Sequence, residues 1–190
     1  MPRTFIAELF FPYDWTRTAL GVLHKYPNPY ATHVVSMDTI SQDYDEPSGR
    51  VRLERVLGVR QGAPRWVVKL LNLSEDTYVR EIMIVDRSAQ SIEMTSTNLT
   101  LSEYLLVKEY ITYKPSAASS TPNSTTFRQV ASIESSREAF GTGILAKAGR
   151  KLEDSSYDRF GSNAHKGRDG LMAVLKGMWG EPAATAGAVA

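Results

Sequence analysis

Apolar side chains recur at every second position through most of this chain, the pattern left by strands that bury one face and keep the other in water. In RVRLERVLGVR, Val51, Leu53, Leu57 and Val59 fall on one side and Arg52, Glu54 and Arg60 on the other, while Arg55 interrupts the apolar side. Similar runs cover residues 3–11, 32–44, 77–86, 91–99, 104–114 and 126–134. Between them, DYDEPSG, DRSAQ and PSAASSTPNS supply the Gly, Pro, Asn, Asp and Ser that turns need. The pattern predicts about seven antiparallel strands in a meander-like order.

Two segments follow the helical period instead. After Pro12, residues Trp15, Ala19, Leu20, Val22 and Leu23 share helical spacing, and the helix must stop before Pro27, because a residue preceding proline is pushed out of the helical region. A long helix is expected from about Ser136 to Trp179. The glycines around GTG weaken its start, since each costs about 1 kcal/mol against alanine in a helix interior. At about 100° per residue, Leu152, Ser156, Phe160, Asn163, Gly167, Val174 and Met178 fall within an arc of roughly 80°, the face expected to turn toward the sheet. Asn163 interrupts that stripe, with Arg159 and Lys166 just off one edge, so the three can converge on one point.

GAPRWVVKLLNLSE fits neither pattern. Pro64 takes a helix-start position, and Trp66, Val67, Val68, Leu70 and Leu71 then surround only Arg65 and Lys69. A two-turn helix that is apolar nearly all round cannot bury every face against one sheet. It is either a plug at the end of the core or a lid that alternates between covering a cavity and dipping into a membrane surface. The tail EPAATAGAVA carries no pattern and is expected to be disordered, leaving residues 1–178 as the folded domain and 179–190 as the tail.

Composition removes several function classes. The chain has 190 residues, enough for one domain with a substantial core, and no cysteine, so disulfides, thiolate zinc sites and cysteine nucleophiles are out. A net charge of +1 gives little of the basic excess on which nucleic-acid binding runs. No stretch is apolar enough to span a bilayer, and the first residues have neither signal-peptide nor transit-peptide order. His24, His33 and His165 have no paired metal spacing, and neither a G-x-S-x-G elbow nor a phosphate-binding glycine loop is present, so no catalytic site and no cofactor is expected.

What remains is local charge. HKYPNPYATHV places Lys25 and His33 at the two ends of a proline-stiffened turn, an arrangement suited to meeting an anion. KYPNPYATHVVSMDTIS, APRWV, VREIMIVD and LEDSSYDRFGSNAHKG, in this order, resemble the PRELI/MSF1 family of mitochondrial intermembrane-space lipid transfer proteins. The resemblance implies an α+β, START-like helix-grip fold: a curved seven-stranded antiparallel sheet wrapped around a long C-terminal helix, with a short helical lid over a lipid cavity. It also implies transfer of phospholipid between the mitochondrial membranes, transient contact with a membrane surface, and work in complex with a small helical partner of the twin-CX9C type. YPNPY and DTIS are closer to the branch carrying phosphatidic acid for cardiolipin synthesis, whereas RQGAPRWV and NLT are closer to the phosphatidylserine carriers.

Position by position, the resemblance puts Lys25, His33, Arg159, Asn163 and Lys166 around the headgroup, and Arg60 or Arg65 beside the lid. Ser155 stands where relatives commonly have tryptophan. Because histidine titrates near neutrality, His33 is a candidate pH switch or a plain turn cap. The competing reading is an adaptor that binds another protein and fills its interior with side chains.

Overall fold

The computed structural model describes residues 2–60, 76–117, 123–142 and 144–182, the side chains at 144 and 145 excepted. Seven described strands form one antiparallel sheet: β1 (Arg3–Phe11), β2 (Val34–Asp45), β3 (Arg50–Arg60), β4 (Asp76–Asp86), β5 (Ser91–Asn98), β6 (Leu105–Pro115) and β7 (Thr125–Ser135). Their spatial order is β1-β7-β6-β5-β4-β3-β2. The meander therefore holds from β2 to β7, while β1 pairs with the last strand rather than the next one. Helix α1 (Trp15–Leu23) carries the chain from one sheet edge to the other. Asp14 caps α1 by accepting a 2.9 Å hydrogen bond from Arg17 N.

The expected C-terminal helix is two helices. The short α2 (Arg137–Phe140) is capped by Ser136 and ends at Gly141, whose φ of +52° lies in the left-handed region that glycine adopts without strain. Helix α3 (Ile144–Trp179) then crosses the sheet, packing on β1, β6, β7 and α1. The lid segment, Pro64, Arg65, Trp66, Val67, Val68, Leu70 and Leu71, lies outside the described residues, as does the tail from residue 183; the expected tail does not begin at 179, because Trp179 ends α3 and Gly180 O accepts from the Tyr13 hydroxyl at 2.7 Å.

Two apolar clusters hold α3. Near its C-terminus Leu171 and Leu175 are buried with Phe11, Tyr13, Trp15, Ala19, Val22 and Tyr113. Gly21 makes this contact possible: a β-carbon there would sit 2.6 Å from Leu175 Cδ2. Near the N-terminus of α3, Leu152 is buried with Leu105 and Ile133, flanked by Phe140, Tyr157 and Phe160. The 80° arc read from the sequence thus holds at Leu152 but not at the far end, where Met178 is exposed and Leu171 and Leu175 are fully buried. There α3 meets α1 as well as the sheet, and the buried stripe moves round the helix accordingly. Leu20, counted on the apolar face of α1, is exposed for the same kind of reason: its neighbours Ala19 and Val22 take the packed side.

Candidate functional site

Between the two clusters the sheet and α3 stand apart. The space is a cavity of about 700 Å³, within the range of small-molecule sites. Its walls are the inner sheet face, the segment after α1 and the middle of α3. Much of the lining is apolar, including Leu9, Leu57, Val79, Met94, Val107 and Ile111.

Lys25, His33, Arg60, Arg159, Asn163 and Lys166 all line this one cavity. Lys25 reaches α3: its Nζ would lie 3.7 Å from a β-carbon on Gly167, the residue after Lys166. The turn that delivers it is tied together by Asn28, whose Nδ2 donates to Lys25 O at 2.6 Å and whose Oδ1 accepts from Tyr30 N and Ala31 N at 3.0 and 2.9 Å. Gly170 lets Asn28 seat against α3, since a β-carbon there would fall 2.6 Å from Asn28 Oδ1. The Tyr26–Pro27 peptide within this turn is cis. At its far end, His33 O accepts from Arg60 N at 2.8 Å, joining the turn to the end of β3.

Electrostatics shows the same convergence. His33 is held below its ordinary value, first by burial and then by the nearby charges of Lys166 and Lys25, so its imidazole is neutral at neutral pH. Burial alone would depress Lys25, yet its ammonium lies above the ordinary value because Tyr26, Tyr113, Glu109 and Glu81 surround it. With phenols uncharged at neutral pH, the carboxylates are the anions that hold it there.

Two expectations change. Asn163 is exposed rather than buried, so its amide faces the open cavity and carries no penalty for an unmet hydrogen bond. Arg60 sits at the rim with its side chain 57% exposed and its Nε 3.1 Å from Asp76 Oδ1, engaged in an ion pair on the neighbouring strand.

The structure also shows a polar row of which the sequence pattern had marked only Arg55. Arg55, Glu81, Ser96 and Glu109 occupy successive partner positions on β3, β4, β5 and β6. Arg55 and Glu81 are 5% and 6% exposed, and the guanidinium binds Glu81 Oε1 through both Nε, at 2.9 Å, and Nη2. Glu109 instead takes a hydrogen bond from Gln129 Nε2 on β7. Gln129 Oε1 is buried with no hydrogen-bond partner among the described residues, a cost of about 1–3 kcal/mol. Burial pushes the Glu109 carboxyl above its ordinary value; Gln129 and Lys25 oppose that, and Glu81 adds to it. Burial likewise pushes the Tyr113 phenol up to about 12. The signal for this row was available as charged residues on the inward phase of apolar strands.

A long helix gripped by an antiparallel sheet, with a lined hollow between them, defines the START/Bet v1-like helix-grip class. Solved structures agree on the fold: the protein TTHA0849 of Thermus thermophilus superposes with a TM-score of 0.55 at 14% identity, covering 93% of this chain and 99% of that one. Ara h 8.0201 does so with a TM-score of 0.53 at 13% identity, covering 94% and 97%.

Within that class the chain belongs to the PRELI-like family, whose model matches residues 19–181. It is 36% identical over 166 residues to the mitochondrial protein UPS2 of Saccharomyces cerevisiae, covering 87% of this chain and 69% of that protein. It is 32% identical over 167 residues to the mitochondrial protein UPS1 of the same yeast, covering 87% and 89%. Membership supports a role in lipid transfer and a mitochondrial setting.

Proposed function

We propose that the protein is a non-enzymatic carrier that moves acidic glycerophospholipid, phosphatidic acid foremost, from the outer to the inner mitochondrial membrane in support of cardiolipin synthesis. The observation that carries this reading is the 700 Å³ hollow, apolar over much of its lining and cationic where Lys25, Lys166 and Arg159 meet it. Moving two acyl chains of about 16 carbons into water would cost roughly 25 kcal/mol at about 0.8 kcal/mol per methylene, so an apolar cavity must receive them as they leave the bilayer. A phosphate monoester adds a charge of about −1.5 to −2 near neutral pH. Lys25 from the turn and Arg159 and Lys166 from α3 offer charge-assisted hydrogen bonds in place of its water, with Asn163 as a neutral donor and His33 beside them. The lid, residues 64–71, would govern loading through transient membrane contact.

On this reading the carrier works in the intermembrane space with a small twin-CX9C helical partner. Ile6 and Phe10, exposed on β1, give such a partner apolar surface to cover. Residues 1–178 are taken as the transfer domain. Phosphatidylserine is a second reading, favoured by the carboxylates beside Lys25, which offer acceptors to an ammonium. An adaptor with a side-chain-filled interior does not fit the hollow. Solvent extraction of the purified protein followed by mass spectrometry tests the proposal: co-purifying acidic phospholipid supports it. A protein that retains no phospholipid and takes none from vesicles overturns it.

A further inference from the structure

Two carboxylates line the cavity from β4 and β6, with Ser96 of β5 between them, and they are held differently. Glu81 has its own cation, Arg55, bound through two nitrogens across β3 and β4. Glu109 is held by the Gln129 amide, and the cation within its field is Lys25. Lys25, Glu81 and Glu109 all line the same cavity, and with Glu81 bound by Arg55, Glu109 is the carboxylate there that no guanidinium holds among the described residues. We propose that Glu109 is the counter-ion that Lys25 exchanges for the headgroup phosphate, and that Glu109 takes up a proton as the lipid loads.

This rests on the carrier reading of the same cavity. A phosphate that claims Lys25 leaves Glu109 facing two anions, the phosphate and Glu81, in a site where burial already disfavours its charge. The proton comes from water in the open cavity. As a carboxylic acid, Glu109 keeps one oxygen on Gln129 Nε2 and presents an O–H donor to the phosphate. Lys25, Lys166 and Arg159 are the cations that line the cavity with it. Burial pushes the nearby Tyr113 phenol up. His33 also gains proton affinity from an arriving anion, since Lys166 and Lys25 now hold it low, so its contribution must be separated from that of Glu109. Glu109 thereby sets how strongly an anion is held at a given pH: loading is favoured where a proton is available and release where it is not.

The test is carbon-13 NMR of the Glu109 carboxyl in the full-length protein, titrated from pH 5 to 9 with and without dihexanoyl phosphatidic acid. Calorimetric binding of the same lipid to wild type, Glu109→Gln and His33→Gln completes it. Loading is expected to move the Glu109 titration to higher pH. Wild-type and His33→Gln affinity should fall with pH more steeply than that of Glu109→Gln, by up to about tenfold per pH unit for one linked proton. An unmoved Glu109 titration with lipid bound overturns the exchange while leaving the carrier intact. Absence of lipid binding by the wild type removes the carrier reading and this inference together.

Discussion

Helix α3 is clamped at its ends and free in its middle. At the ends, Leu152, Leu171 and Leu175 are buried against the sheet and α1, whereas between them Asn163 and Lys166 are exposed to a cavity. The contrast teaches how one helix serves two purposes. The apolar clusters supply folding free energy, which leaves the stretch from 159 to 168 to carry polar groups that contribute nothing to packing. The sheet repeats the division: its inner face is apolar toward both ends and polar along the row through Arg55, Glu81, Ser96 and Glu109.

Substitutions should separate clamps from cavity. The largest stability effect is expected from Arg55→Met, which strands Glu81 as an uncompensated buried charge. Breaking such a pair from one side costs about 3–5 kcal/mol, read as a fall in the denaturant midpoint. If the loss is near zero, the row is not a closed pair. Next comes Leu175→Ala in the C-terminal clamp, costing about 2–5 kcal/mol through lost burial and the cavity left behind, while headgroup preference in transfer stays unchanged. An altered preference would mean that the clamp and the cavity are not separate.

Gly170→Ala sharpens the boundary between the two regions. Its new methyl meets Asn28 Oδ1 at 2.6 Å, so the turn holding Lys25 must shift, at about 1–3 kcal/mol for overpacking. Lipid affinity should drop along with stability, because the same contact positions the cation. Stability lost without affinity would detach the turn from the site.

The smallest effect is a slope. The Glu109 carboxyl is raised in the folded protein by burial, so the native state holds more protons than the unfolded chain. Its contribution to stability falls as pH rises from about 4.3 through the elevated value and is constant above it. Glu109→Gln should lack that decline when thermal midpoints are compared from pH 4 to 9. His33 acts with the opposite sign, being held low, so the difference between the two proteins isolates Glu109. Parallel curves would show that Glu109 is not desolvated.

Much of the fold was legible because a sheet with one wet face writes period-two alternation directly into the chain: β1 was read at its observed bounds, Arg3–Phe11. The partner of Arg55 was not legible, since Glu81 is opposite it only through the register of β3 on β4, which alternation does not encode. The departure of β1 from the meander depends on where α1 lands, a tertiary outcome. Leu171 and Leu175 escaped the helical arc because that arc was drawn for a single sheet contact, while the C-terminal half of α3 also meets α1. The candidate site was visible as residue types around the proline turn, and the counter-charges Glu81 and Glu109 were hidden as single breaks in otherwise apolar strands.

The most direct test of the central claim is fluorescence-monitored lipid transfer between vesicles of varied headgroup by wild type, Lys25→Gln and Lys166→Glu. The account predicts transfer of phosphatidic acid by the wild type and its loss in both variants, with the circular dichroism spectrum of the folded protein preserved. Wild-type rates in both variants would show that these cations hold no headgroup.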